Sequence, residues 1–257
     1  MTAKQIAKGA LLLTLTGLIL RLIGFFYRIY QSNMIGNEGM GLVQLFNPVY
    51  SLILITLSSG LSTAVSNLTA QSDAVGGDTT KIVKTAMRLV FLVGIPLGLI
   101  VFFSSGLIAT YIVKDERTLM SFRFIGVFLP VVASSSVMRG YFYGSNHVLP
   151  SSVSQMVEQL VKVVAAVFLY EKLISKGLDY ACLAAVIASV IGDVASFIML
   201  SIIIARKGSQ TKKKQVVAST KKIRSDLVKI SAPLSLNRLF SSLLHSAEII
   251  LIPRRLL

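Results

Sequence analysis

The chain has 257 residues, of which 54% are hydrophobic and 14% charged, at a mean hydropathy of +0.74. Soluble domains carry about a quarter charged residues, so lipid is the expected solvent for most of this chain. The net charge of +15 is carried without any Trp and by Lys and Arg that fall between apolar runs, which excludes a nucleic-acid partner.

Each bilayer crossing needs about 20 mainly apolar residues, because lipid leaves backbone N–H and C=O groups without partners. Apolar runs predict seven spans, at about 10–30, 41–69, 87–113, 119–144, 150–172, 180–205 and 226–253. The fold class expected is an all-α membrane protein, with a six-span bundle over residues 1–205, a basic loop over 206–225 and a seventh span within 226–257. Lys4 and Lys8 resemble the start of a signal peptide, but no small-residue cleavage site follows, so the first span is expected to stay uncleaved.

Span one carries Thr14, Gly17, Arg21, Gly24 and Arg28 at three- and four-residue spacing, hence on one helical face. Arg21 falls near mid-span, where an Arg costs about 2.5–3.5 kcal/mol unless it meets water or a partner. It is read as a cavity residue. Arg28 either shares that cavity or reaches the outer interface. Span three holds Gly94 and Gly98, small residues that let helices approach closely. Pro48, Pro96, Pro130 and Pro233 fall inside or near spans, where they free backbone carbonyls.

Arg139 ends span four and reads as an anchor at the cytoplasmic interface. Span five aligns Ser151, Gln155, Glu158 and Lys162, and Glu158 four residues before Lys162 has the favourable order for an ion pair. Span six sets Ala184, Ala188, Gly192 and Ser196 on one face, with Asp193 beside them. Its single cysteine, Cys182, reads as a packing residue and excludes a disulfide framework or a cysteine metal site. No metal or cofactor is expected. Span seven aligns Asn237, Ser241, His245 and Glu248, next to Arg238.

Lys4 and Lys8, then Lys81, Lys84 and Arg88, then Lys212, Lys213, Lys214, Lys221, Lys222 and Arg224 fall on one side of an alternating chain. That side is expected to be the cytoplasm, with the N-terminus inside. Loops holding Glu38, then Lys114 to Arg117, then Glu171 to Asp179 show no such positive excess and are expected outside. The 206–225 loop reads as a topology determinant or as a group attracted to anionic lipid heads.

The polar stripes predict a hydrated, net-positive cavity suited to phosphate-bearing cargo, since Arg offers paired donors to phosphate oxygens. Arg21, Arg28, Gln155, Glu158, Lys162 and Asn237 are the candidate substrate contacts. Asp193, His245 and Glu248 are candidates for coupling. No phosphate loop, His-Glu-x-x-His motif or long extramembrane segment suggests catalysis, so the chain is read as a non-enzyme.

The segment Ser134 to Val164, with its Arg-Gly-Tyr-Phe motif at Arg139 to Phe142, Gly144, Pro150 and the Ser154, Gln155, Glu158, Gln159 pattern, resembles the stage V sporulation protein B group. That group lies within the multidrug/oligosaccharidyl-lipid/polysaccharide exporter superfamily. Leu20 to Arg28 resembles the first helix of the same group and of the related lipid II flippases, with Arg28 one residue later than in the latter. Ile35, Gly36, Glu38, Gly39 and Gly41 fit as well.

The resemblance implies a transporter of two six-helix bundles rocking about a central cavity, and therefore a partner bundle beyond this chain. The end at Ile252 to Leu257 accordingly reads as a truncation. The function implied is translocation of a lipid-linked oligosaccharide or lipid II-type precursor across a bacterial plasma membrane. A cation-coupled drug exporter and a non-transporting scaffold are the alternatives. The first would favour a more aromatic or acidic pocket, and the second has little use for polar stripes on three helices.

Overall fold

The computed structural model describes residues 3–210 and 219–255, with side chains over 9–206 and 219–241. Within them the elements are helical throughout. α1 (Ala3–Ala74) is followed by α2 (Thr79–Phe103), the short α3 (Ser105–Leu107), a π-helical stretch (Ile108–Val113) and a 3-10 turn (Glu116–Thr118). α4 (Leu119–Gly144), α5 (Val148–Leu173), α6 (Leu178–Gln210) and α7 (Thr220–Arg255) complete the order.

α1 is two helices joined at Gly36, whose φ of 68° and ψ of −177° interrupt the ladder. Only glycine adopts such a conformation without strain. Its two arms correspond to the first two predicted spans. Span three ends earlier than predicted, because α2 stops at Phe103 and the 108–113 stretch continues as π-helix. Spans four and five agree closely with α4 and α5. Both ends of the basic loop are helical, Arg206 to Gln210 in α6 and Thr220 to Ser225 in α7; residues 211–218 lie outside the described residues.

Five described helices are long and apolar enough to cross a membrane, and α1, at 66 qualifying residues, is long enough for two crossings. The described part of α7 is not among them. α7 instead lays Ile223 and Leu227 into the core and leaves Lys221, Lys222, Arg224 and Lys229 exposed.

Helix ends meet in the order an alternating chain requires. At one end Arg117 bridges Glu38 at 2.7 Å and Asp115 at 3.0 Å. At the other, Asp78 caps α2 by accepting from the Thr80 amide, and the cleft beside it is shared with Lys222 and Asp226 of α7.

The small-residue stripes lie where backbones touch. A Cβ on Gly98 would sit 2.2 Å from the Gly126 carbonyl oxygen, so α2 and α4 cross there almost without side chains. A Cβ on Gly144 would sit 2.2 Å from the Ser66 oxygen, marking the crossing of α4 with the second arm of α1. Gly192 of α6 likewise meets the Glu158 carbonyl oxygen, at 2.6 Å from an added Cβ. That contact sets the backbone of α5 at the depth where the polar residues gather.

Candidate functional site: a charged interior and an exposed arginine face

Four charged side chains face one cavity of about 240 Å³ between the second arm of α1, α4, α5 and α6: Arg139, Glu158, Lys162 and Asp193. Arg139 is ion-paired with Glu158. The same guanidinium donates to Ser196 Oγ at 3.2 Å and Ser135 Oγ at 3.3 Å. Ser135 in turn lies 3.4 Å from Asp193 Oδ1, and Asp193 is buried. One continuous network therefore links three helices.

This arrangement corrects two expectations. Glu158 pairs with Arg139 rather than with Lys162, whose ammonium lies 5.5 Å from the centre of the Tyr27 ring. A cation over an aromatic face is a weaker but real partner. Arg139 is an interior residue and not an interface anchor. Helical side chains tilt toward the helix N-terminus, and α4 begins at the far end, so the guanidinium is carried inward from its Cα.

The cavity also departs from the predicted excess of positive charge, because Arg139 and Lys162 are balanced by Glu158 and Asp193. A smaller cavity of about 80 Å³ adjoins it through Asn47, Tyr50, Lys162 and Ser189, and reaches Tyr27, Gln31 and Cys182. Gln31 donates to the Tyr170 hydroxyl at 2.7 Å in its buried wall. Asn47 and Tyr50 carry no periodic signal in their apolar segment; Arg139 stands in the Arg-Gly-Tyr-Phe motif, but spacing along α4 does not give the direction of its side chain.

Arg21 and Arg28 stand elsewhere. Both are exposed on the first arm of α1, whose buried edge is formed by Thr16, Tyr27 and Gln31. A Cβ on Gly17 would meet nothing within 4 Å, and one on Gly24 only Gln159, so the space beside Arg21 is open. Arg28 borders a groove of about 360 Å³ with Ser32, Asn37, Met40 and Gln44, next to the Gly36 break. Gln155 lies apart from the charged group and donates to Tyr143 Oη at 2.9 Å. Asn237 is exposed on α7. The side chains of His245 and Glu248 lie outside the described residues.

The described helices, five of them long and apolar enough to cross a membrane, make this a multi-pass, all-helical membrane protein. Its fold is that of the multidrug/oligosaccharidyl-lipid/polysaccharide superfamily. A transporter of that superfamily from Pyrococcus furiosus superposes with a TM-score of 0.72 at 16% identity, over 90% of this chain and 52% of that one. A crystal structure of a MATE protein in the straight conformation gives 0.72 at 18%, over 96% and 56%.

Residues 6–256 match the family described as polysaccharide biosynthesis protein; the chain belongs to that family. It is 28% identical to stage V sporulation protein B of Bacillus subtilis across all of this chain and 50% of that protein. With the lipid II flippase MurJ of the same organism it shares 30% identity, over 80% of this chain and 41% of that protein. The chain thus spans about half the length of the curated relatives it matches.

Proposed function

We propose that this chain forms one helical lobe of a flippase that moves a lipid-linked, pyrophosphate-bearing saccharide precursor across a bacterial plasma membrane, for cell-wall, spore-cortex or polysaccharide synthesis. The observation that carries this reading is Arg21. It is exposed near the middle of the first arm of α1, with open space at Gly17 on the same face and no ion pair among the described residues. A guanidinium at that depth is stable where an anion or water meets it, and it matches phosphate oxygens through paired donors. Arg28 continues the same stripe toward the Gly36 break. The relatives' names agree with this cargo, one being a lipid II flippase. In this reading the N-terminus is cytoplasmic and a second helical bundle closes the cavity.

The interior network serves coupling and rigidity. Asp193, buried beside Ser135, is the first candidate to exchange a proton or cation, with His245 and Glu248 as further candidates for the same role. The buried Asp193 carboxylate, with the half-buried Glu158 near it, also favours a second reading as a cation-coupled drug exporter, which needs no cation on the outer face.

The test is complementation of a flippase-deficient strain by a transporter carrying this lobe. Arg21→Ala is expected to abolish growth while the protein stays membrane-inserted, and Arg21→Lys to rescue partly, because Lys keeps the charge and loses the planar fork. Full complementation by Arg21→Ala at matched expression refutes the anionic-cargo mechanism.

A further inference from the structure

A second cavity, of about 320 Å³, opens between the second arm of α1, α4 and α7. Its walls are Ser58, Ser59, Ser62, Thr63, Ser66, Ser136, Gly140, Tyr143 and Arg238, and it touches the charged interior through Ser58 and Ser136. Nothing in the cation stripe of α1 or the charged network uses it.

Its hydrogen-bonding character follows from where the hydroxyl protons go. Ser58 donates to the Leu54 carbonyl at 2.8 Å, Ser59 to Ile55 at 2.8 Å, Thr63 to Ser59 at 3.1 Å and Ser62 to Ser136 at 3.0 Å. A hydroxyl has one proton and two acceptor positions, so these four line the cavity mainly as acceptors. Donors come from the other wall. Tyr143 Oη accepts from Gln155, which leaves its proton free, and Arg238 spends one N–H on Thr63 Oγ1 at 3.3 Å.

Among the described residues no carboxylate lines the cavity to hold a cation, and its one guanidinium, already bonded to Thr63, stands among hydroxyls that present mainly acceptor lone pairs, which disfavours a pyrophosphate there. An apolar drug would face hydroxyls on most sides. A neutral ligand with many hydroxyls answers both walls, donating to the serines and accepting from Arg238 and Tyr143. The volume sits at the lower end of small-molecule sites, about 300–1,000 Å³, enough for a short glycan. We infer that this groove binds the saccharide portion of the cargo, separately from the phosphate contact at Arg21. The assignment rests on the flippase reading for its ligand class. Ser66 lies against the Gly144 end of α4, the end expected to face the cytoplasm, so the glycan would be taken up from the side where precursors are made.

The experiment is protection of single cysteines, Ser59→Cys and Ser62→Cys, each in a Cys182→Ala background of the purified chain in detergent. The probe ligand is diacetylchitobiose, with inorganic pyrophosphate and tetraphenylphosphonium as comparisons and Leu11→Cys, on the exposed face of α1, as the control site. The disaccharide is expected to slow maleimide labelling several-fold at the groove and not at Leu11→Cys, and Arg238→Gln to remove most of the protection. Labelling unchanged by disaccharide, protection by pyrophosphate or tetraphenylphosphonium alone, or failure of either groove thiol to react in well-folded protein overturns the inference. Two thiol positions guard against one variant failing to fold. Because the assay involves no transport, its failure leaves the Arg21 mechanism standing, and complementation by Arg21→Ala leaves the groove result standing.

Discussion

Arg139 and Arg117 illustrate how much the surroundings of an ion pair decide. Arg139 is largely enclosed and serves Glu158, Ser196 and Ser135 together. Breaking this half-buried pair from one side leaves an uncompensated charge, at a cost below the roughly 3–5 kcal/mol of a fully buried pair. Arg139→Gln and Glu158→Gln should therefore each lower the melting temperature in detergent sharply, and the double variant should recover part of the loss. Strict additivity would show that the two do not interact. Arg117→Ala should leave the melting temperature nearly unchanged, because that pair is exposed to water. The Arg117 hydrogen bonds hold the Asp115 carboxyl below the ordinary carboxylate range. The small stabilisation this gives is present above about pH 4 and fades as pH falls through the lowered value. Spacing along one helix made the stripe of Ser151, Gln155, Glu158 and Lys162 legible. It could not supply the partner, since Arg139 comes from a different helix and approaches along a direction fixed by the polarity of α4.

At the scale of elements, glycine separates crossings from open faces. Gly144→Ala and Gly98→Ala press a methyl group into backbone oxygens, and each is expected to cost about 1–3 kcal/mol. Gly17→Ala and Gly41→Ala, with nothing within 4 Å, should leave stability unchanged. Equal melting temperatures for Gly144→Ala and Gly17→Ala would contradict the close crossing of α1 and α4. Gly36→Ala should also destabilise, by about 1–3 kcal/mol, because its backbone conformation is closed to other residues. Apolar length alone revealed the arms of α1 and the courses of α4, α5 and α6. It marked the breaks between spans, but not the helical ends of the basic loop, nor the continuous helical path of α1 through Asn37 to Gly41, where one glycine suffices for the break. The end of α2 was similarly hidden, since residues 108–113 are as apolar as the span they follow.

For the whole molecule, the alternation of spans fixes which ends lie together, and the positive clusters propose which end is cytoplasmic. Single cysteines in a Cys182→Ala background at Lys114 or Lys176 should react with an impermeant reagent in intact cells, whereas one at Lys222 should react only after lysis. Reaction at Lys222 in intact cells would reverse the orientation. The separation of exposed cations on α1 from a charge-balanced interior is the feature that a one-dimensional pattern could not show. Both sets look alike as polar residues at helical spacing, and only packing assigns one to the inside of the lobe. The most direct measurement is translocation in liposomes, by a transporter carrying this lobe, of a labelled lipid-linked pyrophosphate oligosaccharide. Transfer that is lost with Arg21→Ala, and no transfer of a lipophilic drug cation, is the predicted result; drug transport without movement of the lipid-linked saccharide would contradict it.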